Sequence, residues 1–323
     1  EWASVWTPLM GAAIAASSQV EYDRGVRYFL AWLEEERRGP LRTIPDIDDA
    51  VCEYAWHVYE TMGGRGRSRL HNAIYGIEHY LPRCKGGLVG AYRSERGWRM
   101  WNPPSSHPPI NWQLTCCLAQ QVASMGHVGG GVGILLGFDC YLRVSEIADL
   151  RVCDVIQLGE RVRADTNVLI SLANCKTGRN QSVIVRRPSV ATLVLQWRDF
   201  VRHRTGDTNA KLFPDAELFR ALFTQGQIVL GWVRDTGAVI FVPHSLRHGG
   251  ASVDYLGLGP TRIEEILFRG RWATMKSTRH YIQTGPALMS RWGQTLPEWQ
   301  RRFALFIAED PTLWISVPPV DGL

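Results

Sequence analysis

A proline-rich segment, Asn102-Pro-Pro-Ser-Ser-His-Pro-Pro109, interrupts a chain of 323 residues. Each proline lacks a backbone N–H and locks φ, so the segment is neither a helix interior nor a central strand. It reads as a linker over 101–110 that separates an N-terminal domain, 1–100, from a larger one, 111–323. The chain is long for one compact domain and suits two. Hydrophobic residues make up 45% and charged residues 21%, which excludes disorder as the dominant state. The longest apolar run, Gly131 to Leu142, contains Asp139 and is too short to span a bilayer, so no membrane partner is expected.

The N-terminus has no basic stretch before its apolar run from Leu9 to Ala16, which argues against a signal peptide. A start at Glu1 without methionine reads as a fragment of a longer polypeptide. Seven cysteines are scattered with no CxxC pair, which argues against a disulfide framework or zinc site and for a reducing, intracellular compartment. Adjacent Cys116 and Cys117 are expected on a helix, with at least one in the core.

The first domain reads as all-helical. Tyr22, Val26, Phe29, Leu30 and Leu33 fall at helical spacing before Gly39-Pro40; Ile44-Pro-Asp-Ile-Asp-Asp-Ala reads as a cap followed by a second helix through about Thr61, and further helices are expected over about 68–80 and 88–96. After the linker, 112–124 and 132–141 are helical, and 167–173 and 182–186 are β-rich runs flanking a basic tip from Asn174 to Gln181. Helices then dominate, over 189–203, 216–225, 246–256, 261–268, 275–281 and 296–307, with a strand at 238–242. In the last helix, Leu296, Trp299, Phe303, Phe306 and Ile307 form an aromatic stripe. That stripe has to bury itself against its own domain or a neighbouring subunit.

The net charge of +5 hides a pattern. Residues 1–60 carry five basic and eleven acidic side chains, residues 61–100 eight and two, and residues 161–204 nine and two. Lys85, Lys176, Lys211 and Lys276 are the only lysines. Two separated basic zones suggest two surfaces gripping one polyanion, although an arginine-rich solvated surface would look alike.

Four motifs carry chemistry. In Leu142-Arg143-Val-Ser-Glu146, Arg143 ends an apolar segment and needs a partner, either Glu146 or a phosphate. Ser145 can cap the helix that follows, with Glu146 in its first turn. Lys176 lies on the expected hairpin tip. In Pro243-His244-Ser-Leu-Arg247-His248-Gly-Gly-Ala, His244 and Arg247 share a helix face. In Phe268-Arg-Gly-Arg-Trp272, the tryptophan precedes Tyr281 by nine residues. Taken singly, each has a plain explanation: a structural ion pair, a solvated turn lysine, a chance His-x-x-Arg, or core aromatics.

In this order the pieces resemble the tyrosine recombinase (phage integrase-type) superfamily. Its pattern is Arg before a Ser-Glu helix start, Lys on a β-hairpin, His-x-x-Arg, then His or Trp, then Tyr nine residues later. The resemblance covers about 110–290, and the helical 18–100 stretch matches the family's core-binding domain more loosely. It implies a mainly α fold with a small β-hairpin or sheet (α+β), a helical core-binding domain and a recombinase catalytic domain. It implies a site-specific recombinase that cleaves and rejoins double-stranded DNA through a 3′-phosphotyrosine, as a tetramer on two DNA sites, with no cofactor and no metal. The implied site is Arg143, Glu146, Lys176, His244, Arg247, Trp272 and Tyr281. His248 and His280 are the neighbours to weigh against His244. Intracellular, DNA-associated localisation follows, nuclear in a eukaryotic host; the Gly-Arg-Trp wording is similar to recombinases of eukaryotic mobile elements. The rivals are a type IB topoisomerase, which shares the chemistry without pairing sites, and a catalytically idle DNA-binding descendant.

The physics of phosphoryl transfer suits these residues. Arg143 and Arg247 can hold non-bridging oxygens and neutralise the growing charge without a metal. Tyr281, with a free pKa near ~10, must lose its proton as it attacks. His244 can accept that proton, Lys176 can protonate the leaving 5′ oxygen, Trp272 can donate its indole N–H, and Glu146 can orient Arg143.

Overall fold

The computed structural model describes residues 12–103, 108–159, 166–175, 178–275, 279, 282 and 296–319. The chain divides into two compact units, Glu1–Ser106 and His107–Leu323.

Among the described residues, the first unit contains four α-helices, α1 (Ala16–Glu35), α2 (Ile44–Thr61), α3 (Arg67–Tyr80) and α4 (Val89–Trp101). Thr43 and Asp46 form a reciprocal cap at the start of α2: the Asp46 amide donates to the Thr43 hydroxyl at 3.2 Å, and the Thr43 amide to the Asp46 carboxylate at 2.8 Å. Phe29, Trp32, Val51, Tyr54, Leu70, Ile74 and Trp98 meet in one apolar core. The Trp98 indole donates to the Gly64 carbonyl at 2.9 Å, tying α4 to the basic Gly-Arg turn.

The second unit begins with buried Pro108, Pro109 and Ile110, followed by α5 (Trp112–Ser124) and α6 (Val128–Asp139), buried from Gly129 onward. The short α7 (Val144–Asp149) follows. Strands β1 (Val155–Gln157), β2 (Val168–Cys175) and β3 (Gly178–Ile184) form one antiparallel sheet in the order β1-β2-β3. The β2–β3 ladder runs out to Cys175 opposite Gly178, so the strands extend well into the stretch expected as a hairpin tip. Three-residue β1, with only Val155 buried, carries too short a pattern to be read beforehand. Then come α8 (Pro188–Thr205), α9 (Ala216–Val229), α10 (His244–Leu258), α11 (Ile263–Arg269) and α12 (Glu298–Glu309). The mainly helical fold with a small sheet matches the expected class.

Three local expectations differ. No strand forms at 238–242; that stretch has only an isolated bridge, Val233 to Val239. Buried Gln227 takes both backbone groups of Phe241, at 2.8 and 2.9 Å, in place of a ladder. The second difference is α12, which packs on its own unit through only part of the expected stripe, Leu296 and Ile307. Ala304 and Ile307 are buried with Leu296 and Ile315, and Gln300 bonds the Leu230 carbonyl at 2.9 Å and accepts from the Trp232 indole at 3.1 Å. Trp299, Phe303 and Phe306, expected on the buried stripe, are 66, 41 and 54% exposed. The small Ala304 allows the close approach that the aromatics would block. The third is a cap, described with the site. Cys116 and Cys117 are both buried on α5. Among the described residues, no helix is long and apolar enough to cross a membrane.

Candidate active site

The segment from α6 to α7 turns sharply. Tyr141 takes φ +51°, in the left-handed region that few non-glycine residues occupy. The turn directs the Tyr141 carbonyl toward α10 and sets Arg143 at the N-cap of α7. Ser145 is inside this helix and is not its cap. The Arg143 amide donates instead to Glu146 Oε2 at 2.9 Å, because Glu146 at the third position reaches back over the helix start. The Arg143 guanidinium donates to Glu146 Oε1 at 2.6 Å and is one-quarter exposed, whereas Glu146 is buried.

Arg247, on the second turn of α10, is fully buried. It donates to the Tyr141 carbonyl and, at 2.5 Å, to the Gly270 carbonyl. Its guanidinium lies 4.7 Å from the centre of the Trp272 ring, a cation–π contact. That ring is stacked on Tyr141 with centroids 6.0 Å apart. Gly249 and Gly250 let α10 come this close: a Cβ there would meet the Ile110 carbonyl oxygen at 1.8 Å and the Phe138 carbonyl oxygen at 2.2 Å. His244 is the first residue of α10, half-buried, with its ring 5.0 Å from that of buried His248.

Arg143, Glu146, Arg247 and Trp272 are therefore brought into one cluster, and His244 stands one helical turn from Arg247. Lys176, Tyr281 and His280 lie outside the described residues.

Two arginines of the Arg269-Gly-Arg271-Trp272 stretch were not read as site residues and prove central. Arg271, itself at φ +53°, is buried and donates to Glu146 Oε2 at 2.9 Å and to the Tyr141 carbonyl at 3.4 Å. Arg269 donates to the Asp139 carbonyl and, at 2.8 Å, to the Ile184 carbonyl. Behind the cluster, buried Asp139 accepts from Arg187 at 2.6 Å and from the Arg186 amide at 2.7 Å, while Asp254 accepts from Arg186 and from the Tyr141 hydroxyl. The available signal was two arginines within an otherwise apolar, glycine-spaced motif.

Burial by itself would raise the Glu146 pKa. The Arg271 charge, the Arg143 amide and the Arg143 and Arg247 charges outweigh it and hold the carboxyl below its usual range. The Tyr141 phenol is pushed far up, first by burial and then by Asp254, so it stays protonated. The cluster is a largely buried, strongly cationic network built at turns through two left-handed residues, Tyr141 and Arg271.

No protein-family model and no curated protein matches the chain. Solved structures do. The integrase of transposon Tn1549, in complex with transposon right-end DNA, superposes with a TM-score of 0.60 at 13% identity, over 87% of this chain and 95% of that one. A lambda integrase dimer bound to a COC′ core site superposes with a TM-score of 0.57 at 10% identity, over 84% and 90%. The chain has the tyrosine recombinase fold.

Proposed function

We propose that the chain is a DNA strand transferase: it cleaves and rejoins duplex DNA through a covalent 3′-phosphotyrosine on Tyr281 and so recombines two sites. The observation that carries this reading is the convergence of three remote stretches: Arg143 on Glu146, Arg247 on the Tyr141 carbonyl, and the Trp272 ring against the Arg247 guanidinium. Both relatives named above were solved on DNA, which supports the partner. Arg143 takes the scissile phosphate first, being the exposed guanidinium. Arg247 is closed off from solvent, so a phosphate reaches it only once the residues over it move aside. His244, at the N-terminus of α10, stands where the helix dipole also favours an anion. Lys176 is assigned the proton transfer to the departing 5′ oxygen, and the stored phosphotyrosine bond removes any need for ATP. Double-stranded DNA is gripped by basic side chains of both units.

The exposed ridge of Trp299, Phe303 and Phe306 supports assembly of several copies on paired sites, and this separates a recombinase from a monomeric topoisomerase. On a nicked suicide duplex, Tyr281→Phe is expected to bind normally and form no denaturant-resistant adduct; an adduct in that variant overturns the assignment. Lys176→Ala should cleave slowly, and recover when the leaving oxygen is replaced by sulfur. Truncation after Gly293 should leave DNA binding largely intact and abolish paired-site complexes, measured by light scattering. Supercoil relaxation by a chain that never pairs sites would favour the topoisomerase.

A further inference from the structure

Glu146 poses an electrostatic problem for the reading above. Its carboxylate binds Arg143, the one partly exposed guanidinium of the cluster, and an ion pair of this kind carries no net charge toward an incoming phosphate. Held below its usual pKa range, Glu146 stays ionised at neutral pH and cannot relieve the problem by taking a proton.

We propose that Arg271 is a charge-balancing positioning residue: by binding the second oxygen of Glu146, it returns the Arg143 charge to the scissile phosphate. Four observations carry this. Arg271 Nη2 lies 2.9 Å from Glu146 Oε2, while Arg143 Nη1 takes Oε1 at 2.6 Å, so each oxygen has its own guanidinium. Arg271 and Glu146 are both buried, with side chains 4% and 3% exposed, so their attraction is weakly screened. The Arg271 fork is fixed by the Cys140, Arg269 and Tyr141 carbonyls, at 3.3, 3.2 and 3.4 Å. Its backbone stands in the left-handed region, a conformation that costs free energy and is kept only where the surroundings enforce it.

Three guanidiniums, Arg143, Arg247 and Arg271, against the single carboxylate of Glu146 leave two positive charges in the cluster. A phosphodiester has one negative charge and approaches two as its pentacoordinate transition state forms. The cluster therefore matches the transition state better than the ground state, the condition for lowering a barrier. Removing Arg271 leaves one positive charge, which matches the ground state only. Arg269 does not substitute, because its fork is committed to the Asp139 and Ile184 carbonyls. The inference rests on the strand-transferase reading in placing a phosphate beside Arg143.

The test combines a probe that needs no turnover with one that does. Orthovanadate, a pentacoordinate phosphate mimic, is titrated calorimetrically into the full chain, and adduct formation is timed on the suicide duplex. In Arg271→Gln, vanadate affinity and cleavage rate are each expected to fall on the order of 10²-fold, with DNA affinity unchanged. Arg271→Lys, which keeps the charge, should recover most of the loss. The double variant Arg271→Gln/Glu146→Gln restores two positive charges and should regain at least about tenfold in vanadate affinity over Arg271→Gln, which a purely structural role would not give. If Arg271→Gln loses its cooperative melt, Glu146→Gln alone decides: an added positive charge tightens vanadate about tenfold, and unchanged or weaker binding overturns the inference. Vanadate binding with this pattern but no adduct from the unmodified chain would overturn the strand-transferase reading and keep the charge balance. An adduct from the unmodified chain with Arg271→Gln equally fast would do the reverse.

Discussion

Each unit buries a carboxylate among several cations, but the two arrangements point their charge differently. In the first unit, Glu95 accepts from Arg99 at 3.0 Å, lies 3.1 Å from His71 Nδ1 and has Arg67 at 3.8 Å. Its side chain is 6% exposed, while those of Arg67, His71 and Arg99 are 34, 40 and 52% exposed. The acid is inside, while Arg67, Arg99 and the His71 ring face water, so the carboxylate acts as a root that holds a basic surface on α3 and α4. In the second unit, Glu146 and Asp139 are buried together with Arg271 and Arg269, and only Arg143 and Arg187 reach outward. The first pattern is an exposed basic surface; the second is a buried network whose partners cannot rearrange without leaving a charge unpaired. Contact with many phosphates tolerates mobile cations, whereas chemistry on one phosphate does not.

The largest expected break comes from Asp139→Ala. It strands Arg269 in the interior and cuts the anchor of Arg187, and should destabilise the chain by about 3–5 kcal/mol in denaturant unfolding. A loss below 1 kcal/mol would show that the second unit is no more rigidly paired than the first. Glu95→Gln should cost roughly 2–3 kcal/mol, read from the same unfolding curves, since the Glu95 carboxyl is held at about 2, first by the His71 hydrogen bond and then, against burial, by Arg99.

The same depressed pKa gives an acid limb. Stability from Glu95 is complete above the ordinary carboxylate value of 4.5 and is lost as the pH falls toward about 2. Thermal melts between those values should show it, and Glu95→Gln should flatten that limb. The smallest effect on stability is expected for Arg99→Ala, at most about 0.5 kcal/mol, because the Arg99 side chain is half-exposed and Glu95 keeps His71 and Arg67 beside it. Its signature lies elsewhere: the slope of log affinity for duplex DNA against log salt should drop by about one. An unchanged slope would remove Arg99 from the DNA-facing surface.

Much of this architecture was legible in the chain. The helices of both units follow from apolar periodicity, and their ends often coincide with local chemistry such as the Thr43–Asp46 cap. Arg143, Glu146, His244, Arg247 and Trp272 group together through their resemblance to one family's pattern, and the fold brings all but His244 into one cluster, with His244 one helical turn from Arg247. The strand expected at 238–242 failed because the Gln227 side chain, from another element, satisfied the backbone that a partner strand would have paired. The stripe on α12 was periodic, yet Ala304 and Ile307 were chosen for burial over Trp299 and Phe303. Periodicity ranks faces by hydrophobicity, while docking ranks them by shape as well.

Local signals thus determined the elements, the division near the proline-rich segment and the identities of the cationic residues, because helix formation, capping and chain stiffness depend on neighbours a few positions apart. Tertiary structure alone decided which arginines are buried, which oxygen of Glu146 each one takes, and that Asp139 meets Arg187 and Arg269. Those pairings join residues up to about 130 positions apart in the chain. Their strength comes from a water-excluded interior that exists only once the helices have packed, so no local pattern encodes it.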